Sequence, residues 1–481
     1  MADDQEADRF SARARRYANL GVSAGAFAAR AGARRLVGGE SADTARDLAQ
    51  ALGALKGPLM KVAQMMATIP EALPADYAEQ LISLQSQAPP MGAAFVRRRM
   101  QAELGPDWRA RFAAFDLAPA AAASLGQVHR AKGLEGEDLA CKLQYPDMAS
   151  TVEVDIGQLE LLLKFHRRMG PAIDASAIAV EIAARLREEL DYEREAKLTR
   201  LYGAMLADRP LVRVPAVFEA LSTRRLLTQE WLEGEPVTRF DRAEAATRNA
   251  IALGLFEAWW RPFSRFGVIH GDPHLGNYSV VMRGADDARE VEAINLYDYG
   301  CVRIFPPTFV GGVVDLYRGL ADGDDSRVVH AYESWGFVNL SRATVEALNI
   351  WARFIYGPLI DDRVRTIADG VKPGEYGRRE IGAVMRALKA EGGALKVPRE
   401  FVFMDRAAIG LGGAFLRLGA ELNFHRLFED AIEGFEATAL ATRQAEALER
   451  VALAGNAKRP RSGERGLFLG PPRGRTAAQA E

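Results

Sequence analysis

Only two cysteines, Cys141 and Cys301, occur in 481 residues. Two is too few for a disulfide scaffold and fits a reducing compartment. No uninterrupted apolar run reaches transmembrane length. The start, MADDQEADRF, lacks the basic and apolar regions of a secretory signal. A soluble, cytoplasmic protein is the resulting expectation. An excess of one charge is missing too: 62 Lys and Arg against 64 Asp and Glu leave a net charge of −2, so no nucleic-acid partner is expected. No internal repeat is visible, which argues against a repeat architecture.

The length present suits two or three packed units. Between Arg9 and Arg35 stand seven arginines and no acid, interleaved with alanine and a few aromatics. The apolar face is mostly alanine and buries little area, which favours a helix docked on the protein with a solvated arginine face. Peripheral contact with an anionic membrane surface is the alternative. Residues 42–87 are helical in pattern, broken by Gly57-Pro58, Pro70 and Pro74 and closed by Pro89-Pro90. A helix is expected over 93–113, ending near Gly105-Pro106. Short strand-like runs follow at 123–132 and 137–145, helices at 150–169 and 175–205, and further strands at 211–221 and 224–234. Past Gly234-Glu235-Pro236 the pattern is helical except around 268–305, and from about residue 457 the chain is a Gly-, Pro- and Arg-rich tail of disordered composition.

The densest polar chemistry lies in HGDPHLGN (270–277). Asp272 precedes Asn277 by five positions, the spacing of a kinase catalytic loop in which an Asp orients the acceptor and an Asn holds magnesium. Asp298, in LYDYG, follows Asn277 by 21 residues, with a strand–turn–strand pattern between them (YSVVM, GADDARE, VEAINLY). Such a hairpin brings Asn277 and Asp298 together as oxygen ligands for a nucleotide-bound Mg²⁺. In ACK (140–142), Lys142 ends an apolar strand, the position of a phosphate-holding lysine, and a buried lysine requires a carboxylate partner. The acidic stretch EIAARLREELDYEREA (181–196) supplies Glu181, Glu188, Glu189, Asp191 and Glu195 as candidates. The phosphate-covering loop, PAAAASLGQVH (119–129), has alanine where glycine is usual. His270 and His274 lack a third metal-ligand partner, so a zinc site is not expected and His270 is placed as a brace for the loop. Both cysteines are read as small apolar fillers.

PAAAASLGQVHRA, LACKLQYPD, EELDYEREA, LLTQEWLEG, HGDPHLGN and DYG, in this order between about residues 50 and 430, resemble the UbiB/AarF (ADCK-type) family of atypical kinases. The resemblance implies an α+β, bilobal, protein-kinase-like fold: a small antiparallel-sheet N-lobe (93–234), a mainly helical C-lobe (235–456), and a helical extension (41–92) folded over the active site as a lid, flanked by the basic segment 1–40 and the tail 457–481. It implies ATP and Mg²⁺ as cofactors. Lys61 and Gln64 of the lid are expected to point towards the nucleotide. Glu189 and Asp191 are the Glu-x-Asp pair engaging Lys61. Ala121, Ala122, Ala123 and Ser124 form the nucleotide loop, with Glu230 and Leu232 of the linker also at the nucleotide. Lys142 is the strand lysine, Glu181 its chosen carboxylate partner, Asp272 the catalytic carboxylate, and Asn277 and Asp298 the metal ligands. Two departures stand out. The lid motif has Ala63 where the family has glycine, which favours helix by up to ~1 kcal/mol, and the metal triplet is Asp-Tyr-Gly, whose tyrosine hydroxyl needs a partner.

The implied activity is binding of Mg-ATP and hydrolysis or transfer of its γ-phosphate, in support of ubiquinone biosynthesis or membrane-lipid homeostasis. Isoprenoid-quinone precursors, lipids and biosynthetic complex partners are the expected associates. Two other readings are a small-molecule phosphotransferase of the aminoglycoside or choline kinase type and a nucleotide-gated, non-catalytic scaffold.

Overall fold

The structure, a computed structural model, describes residues 91–453 except 124, 147, 154–155, 158–182, 185, 285–288, 369–370, 372–377 and 391–397. Lys61, Gln64, Ser124 and Glu181, and nearly all of the expected lid, therefore lie outside the described residues.

The N-terminal half is built on one five-stranded antiparallel sheet. Its main path runs β1 (Ala114–Phe115), β3 (Gly126–Lys132), β4 (Asp138–Gln144), β6 (Leu226–Glu230), and β2 (Ala121–Ala123) pairs with β3. Helix α1 (Ala93–Leu104) covers it, because Val96, Met100 and Leu104 recur every four residues and fall on one face. These three pack with Trp108, Leu139, Cys141, Leu143 and Leu226 into a small core, each large apolar side chain contributing about 1.5–3 kcal/mol. This helix ends at Leu104, at the expected stop near Gly105-Pro106, where Gly105 adopts φ 89°; residues 108–111, in the rest of the expected span, form only a 3-10 turn.

The expected helix over 175–205 is also interrupted. Residues 186–188 are helical, Glu189 and Leu190 turn, and α2 (Tyr192–Met205) starts afresh with Asp191 as its N-cap. The strand expected over 211–221 shrinks to β5 (Val212–Arg213): Pro215 has no N–H to donate to a ladder, and residues 219–221 coil into a 3-10 turn.

After β7 (Glu235–Pro236) the chain is mainly helical. Helix α3 (Ala245–Phe266) carries Ile251, Leu255, Ala258, Trp259, Pro262 and Phe263 on its buried face and ends at Gly267 in the left-handed conformation. Strand β8 (Val268–His270) pairs antiparallel with β11 (Val302–Ile304). Between them, β9 (Tyr278–Arg283) and β10 (Glu290–Leu296) form the expected hairpin, flanked by β7 and, in parallel, by β5. Helices α4 (Pro307–Asp322), α5 (Asp325–Ser334), α6 (Arg342–Ile360), α7 (Arg378–Ala390), α8 (Arg399–Leu418), α9 (Phe424–Ile432) and α10 (Ala437–Arg450) complete this half. One continuous apolar cluster holds it together, centred on Trp259, Phe263, Tyr299, Val310, Tyr332 and Phe428. The architecture is the α+β, bilobal, kinase-like one. No helix among the described residues is long and apolar enough to cross a membrane.

Candidate active site

Lys142 projects from β4, and its partner is Glu195: Nζ donates to Oε1 at 2.7 Å and Oε2 at 3.0 Å. The choice of Glu181 gives way to Glu195. Because α2 restarts at the Asp191 cap, Glu195 stands one turn into a new helix beneath the sheet, so a wheel drawn through 181–196 as a single helix misplaces its acids. Asp191 accepts a hydrogen bond from the Arg194 N–H, which leaves a sequence signal after the fact: an Asp cap followed by acids in the first turn. Lys142 Nζ also lies 3.2 Å from Asp298 Oδ1 and 5.2 Å above the Tyr192 ring. Burial opposes the lysine charge, but Asp298 and Glu195 beside it hold the ammonium well above its ordinary range. Burial pushes the Glu195 carboxyl up to about 7, with Lys142 opposing and Asp298 assisting.

The second half of the site hangs from β8 and β11. His270 is fully buried; its Nδ1 meets the Asp272 carbonyl at 3.1 Å, and its Nε2 meets the carbonyls of Tyr297 at 3.1 Å and Asp298 at 2.8 Å. One imidazole thus ties the loop bearing Asp272 to the loop bearing Asp298. Asn277 Nδ2 donates to the Asp272 carbonyl at 3.1 Å, and the Asn277 carbonyl accepts the Tyr297 N–H at 2.9 Å. Asp298 itself sits at φ 58°, ψ 78°, a left-handed conformation uncommon outside glycine and held by the loops around it. The Tyr299 hydroxyl, which needed a partner, donates to the Leu296 carbonyl at 2.9 Å while its ring packs on Tyr202 and His270.

Around this centre, Ala121, Ala122 and Ala123 lie in β2, paired to Val128, Gln127 and Gly126. The alanines therefore form the strand of a tight hairpin rather than its turn. A Cβ at Gly126 would fall 2.3 Å from the Leu143 carbonyl oxygen, so only glycine lets β3 approach β4 there. Glu189 is buried and accepts a hydrogen bond from the Cys301 thiol at 3.5 Å. Cys141 and Cys301 are both free and buried. Glu230 ends β6 with its carboxylate on the Ala216 N–H, and the Leu232 carbonyl accepts the Tyr297 hydroxyl at 3.0 Å. A cleft of about 580 Å³ opens here, lined by the linker residues Trp231–Gly234, by Tyr278, Ser279 and Tyr297, and by His274–Gly276 of the catalytic loop.

The structure thus joins Lys142, Glu195 and Asp298 by ion pairs, ties the backbones of Asp272 and Asp298 together through His270, holds Asn277 to the Asp272 carbonyl, and sets Leu232 in the lining of the adjoining cleft, two residues past Glu230. Among the described residues, no three His, Cys, Asp or Glu side chains gather as a metal site. Asn277 and Asp298 supply oxygen donors, and Nδ2 of Asn277 is already engaged, which leaves its Oδ1 as the amide atom for a cation. That donor set fits Mg²⁺, which keeps much of its shell as water and phosphate.

Residues 83–332 match the ABC1 atypical kinase-like domain, just over half of the chain. The chain is similar to the chloroplastic protein ACTIVITY OF BC1 COMPLEX KINASE 8 of Arabidopsis thaliana, with 30% identity over 58% of this chain and 37% of that one. It is also similar to the mitochondrial atypical kinase COQ8B of Rattus norvegicus, with 28% identity over 82% of this chain and 73% of the relative. Among solved structures, Rv3197 of Mycobacterium tuberculosis, determined with erythromycin, matches with a TM-score of 0.55 and 26% identity over 82% of this chain and 96% of that one. The chain spans little more than a third of the Arabidopsis protein's length and about three quarters of the rat protein's. With its bilobal fold, its Lys142–Glu195 pair and its two-loop centre, the chain belongs to the ABC1 (UbiB/AarF) family of atypical kinases.

Proposed function

We propose that this protein binds Mg-ATP in the cleft between its two halves and hydrolyses the terminal phosphate or transfers it to a small, lipid-like acceptor. The observation that carries this reading is the Lys142 ammonium bridging Glu195 and Asp298 at 2.7 and 3.2 Å, on the side of the fold where Asp272 and Asn277 also converge. Lys142 holds the non-transferred phosphates, and Glu195 fixes its position. Asn277 and Asp298 hold the metal, which when bound neutralises charge on the phosphate oxygens. Asp272 orients water or an acceptor hydroxyl in line with the bond that breaks. Phosphoryl transfer needs little more than such positioning and charge neutralisation. The family resemblance supports a role in isoprenoid-quinone synthesis or membrane-lipid homeostasis at the membrane periphery. A lid carrying Lys61 and Gln64, engaged by Glu189 and Asp191, would keep protein substrates out.

The test is Mg²⁺-dependent ATP hydrolysis by the purified protein, compared with Asp298→Asn and Lys61→Ala. Loss of turnover in the first variant with nucleotide still bound is the expected result. A rise in the second marks the lid as inhibitory. Failure of the wild type to bind ATP overturns the reading.

A further inference from the structure

The cleft floor carries a hydrogen-bond chain whose protons run in one direction. Asn295 Nδ2 donates to the Glu233 carbonyl at 2.9 Å and to Ser279 Oγ at 2.9 Å. Ser279 and Tyr297 share a bond of 2.7 Å, and the Tyr297 hydroxyl donates to the Leu232 carbonyl at 3.0 Å. The phenolic proton is committed to Leu232, so the serine is the donor in the bond between them. Two consecutive linker carbonyls, Leu232 and Glu233, are thereby satisfied from within the protein. The linker also lies directly on the network: a Cβ at Gly234 would fall 2.2 Å from Ser279 Oγ. Of the linker N–H groups, that of Trp231 is engaged by the Asp138 carbonyl, while that of Leu232 has no partner among the described residues. The linker edge therefore offers a donor at Leu232 and has its neighbouring acceptor blocked. The Tyr297 hydroxyl takes one acceptor position of that carbonyl, and Tyr297 itself lines the cleft.

We propose that Tyr297 selects the base of the nucleotide: by capping the Leu232 carbonyl it favours a purine that presents a ring-nitrogen acceptor to the linker and disfavours one that adds a 2-amino donor there. Adenine is such an acceptor, whereas guanine and 2-aminoadenine carry the extra donor. This inference rests on the nucleotide reading above and deepens it. Tyr297 is the residue immediately before Asp298, so base and metal are read by neighbouring positions of one strand end.

The experiment is displacement of a fluorescent ribose-labelled ATP from the purified full chain by ATP, GTP and 2-aminoadenosine triphosphate, for the wild type, Tyr297→Phe and Ser279→Ala. Wild type is expected to prefer ATP over the 2-amino compound by about tenfold, the scale of one hydrogen bond. Tyr297→Phe uncaps the carbonyl and removes that preference, and Ser279→Ala, which leaves the cap in place, keeps it. Equal affinity of the wild type for the two compounds overturns the inference and needs no variant to fold. An unchanged ratio in Tyr297→Phe, or an equal loss in Ser279→Ala, overturns it as well. Absence of all nucleotide binding instead overturns the nucleotide reading itself.

Discussion

The Lys142 centre and the linker cleft beside it hold their polar groups by different physics. At the lysine end, the Lys142 ammonium lies 2.7 Å from Glu195 and 3.2 Å from Asp298; burial opposes the charge of both Lys142 and Glu195, and each supports the other's charge. At the linker end, Asn295, Ser279 and Tyr297 form a neutral chain, and burial raises the Tyr297 phenol further above its ordinary range, so it stays protonated. The first end is strong and sensitive to pH, because a lost proton changes the net charge of a buried cluster. The second is weaker, insensitive to pH, and directional. Charge suits the handling of phosphate and metal; fixed donors and acceptors suit discrimination between similar rings.

The sharpest way to break this contrast is Asp298→Asn. It should lower Mg²⁺-dependent ATP hydrolysis by about 10²-fold or more, measured by phosphate release, while leaving the fold intact. Glu195→Gln comes next. It leaves Lys142 with Asp298 as its remaining carboxylate and should raise the ATP concentration for half-maximal rate by about tenfold. Third is the pH profile. The Glu195 carboxyl lies at about 7 against an ordinary 4.5, so below pH 7 it carries a proton and grips Lys142 less firmly. Hydrolysis should therefore rise between pH 6 and 8, and Glu195→Gln should flatten that rise. Stability should run the other way. A carboxyl raised in the folded state contributes stability that is full below about pH 4.5 and lost as pH rises through 7, which melting curves of wild type and Glu195→Gln can separate. The smallest effect belongs to the neutral end: Ser279→Ala should lower unfolding free energy by about 1 kcal/mol, equally at pH 6 and 8, by denaturant titration.

The loop and hairpin that carry Asp272, Asn277 and Asp298 were legible because these residues stand in short runs with fixed spacing. Asp272 and Asn277 share one loop, and the hairpin to Asp298 shows as alternating strands around a turn. Glu195 was hidden by a local event: the chain turns at Glu189 and Leu190, and the Asp191 cap resets the helical phase of every acid after it. The linker end left no signal. Asn295, Ser279 and Tyr297 look like ordinary strand residues, and only the pairing of β9 with β10, which sets Ser279 opposite Asn295, brings their polar atoms to one spot below Leu232. A contact made across a sheet and then onto a third segment has no period in one dimension.

His270 carries a consequence for how finely the reaction centre can be aligned. Asp272 and Asp298 are separated by 26 positions of chain, including a whole hairpin, and any small bend in that path would add to the error in their relative placement. The buried imidazole spans the gap directly, with hydrogen bonds to the backbone of both loops. It acts as a gauge block: the spacing of the two loop backbones is set by the rigid width of one ring rather than by the length of the hairpin between them.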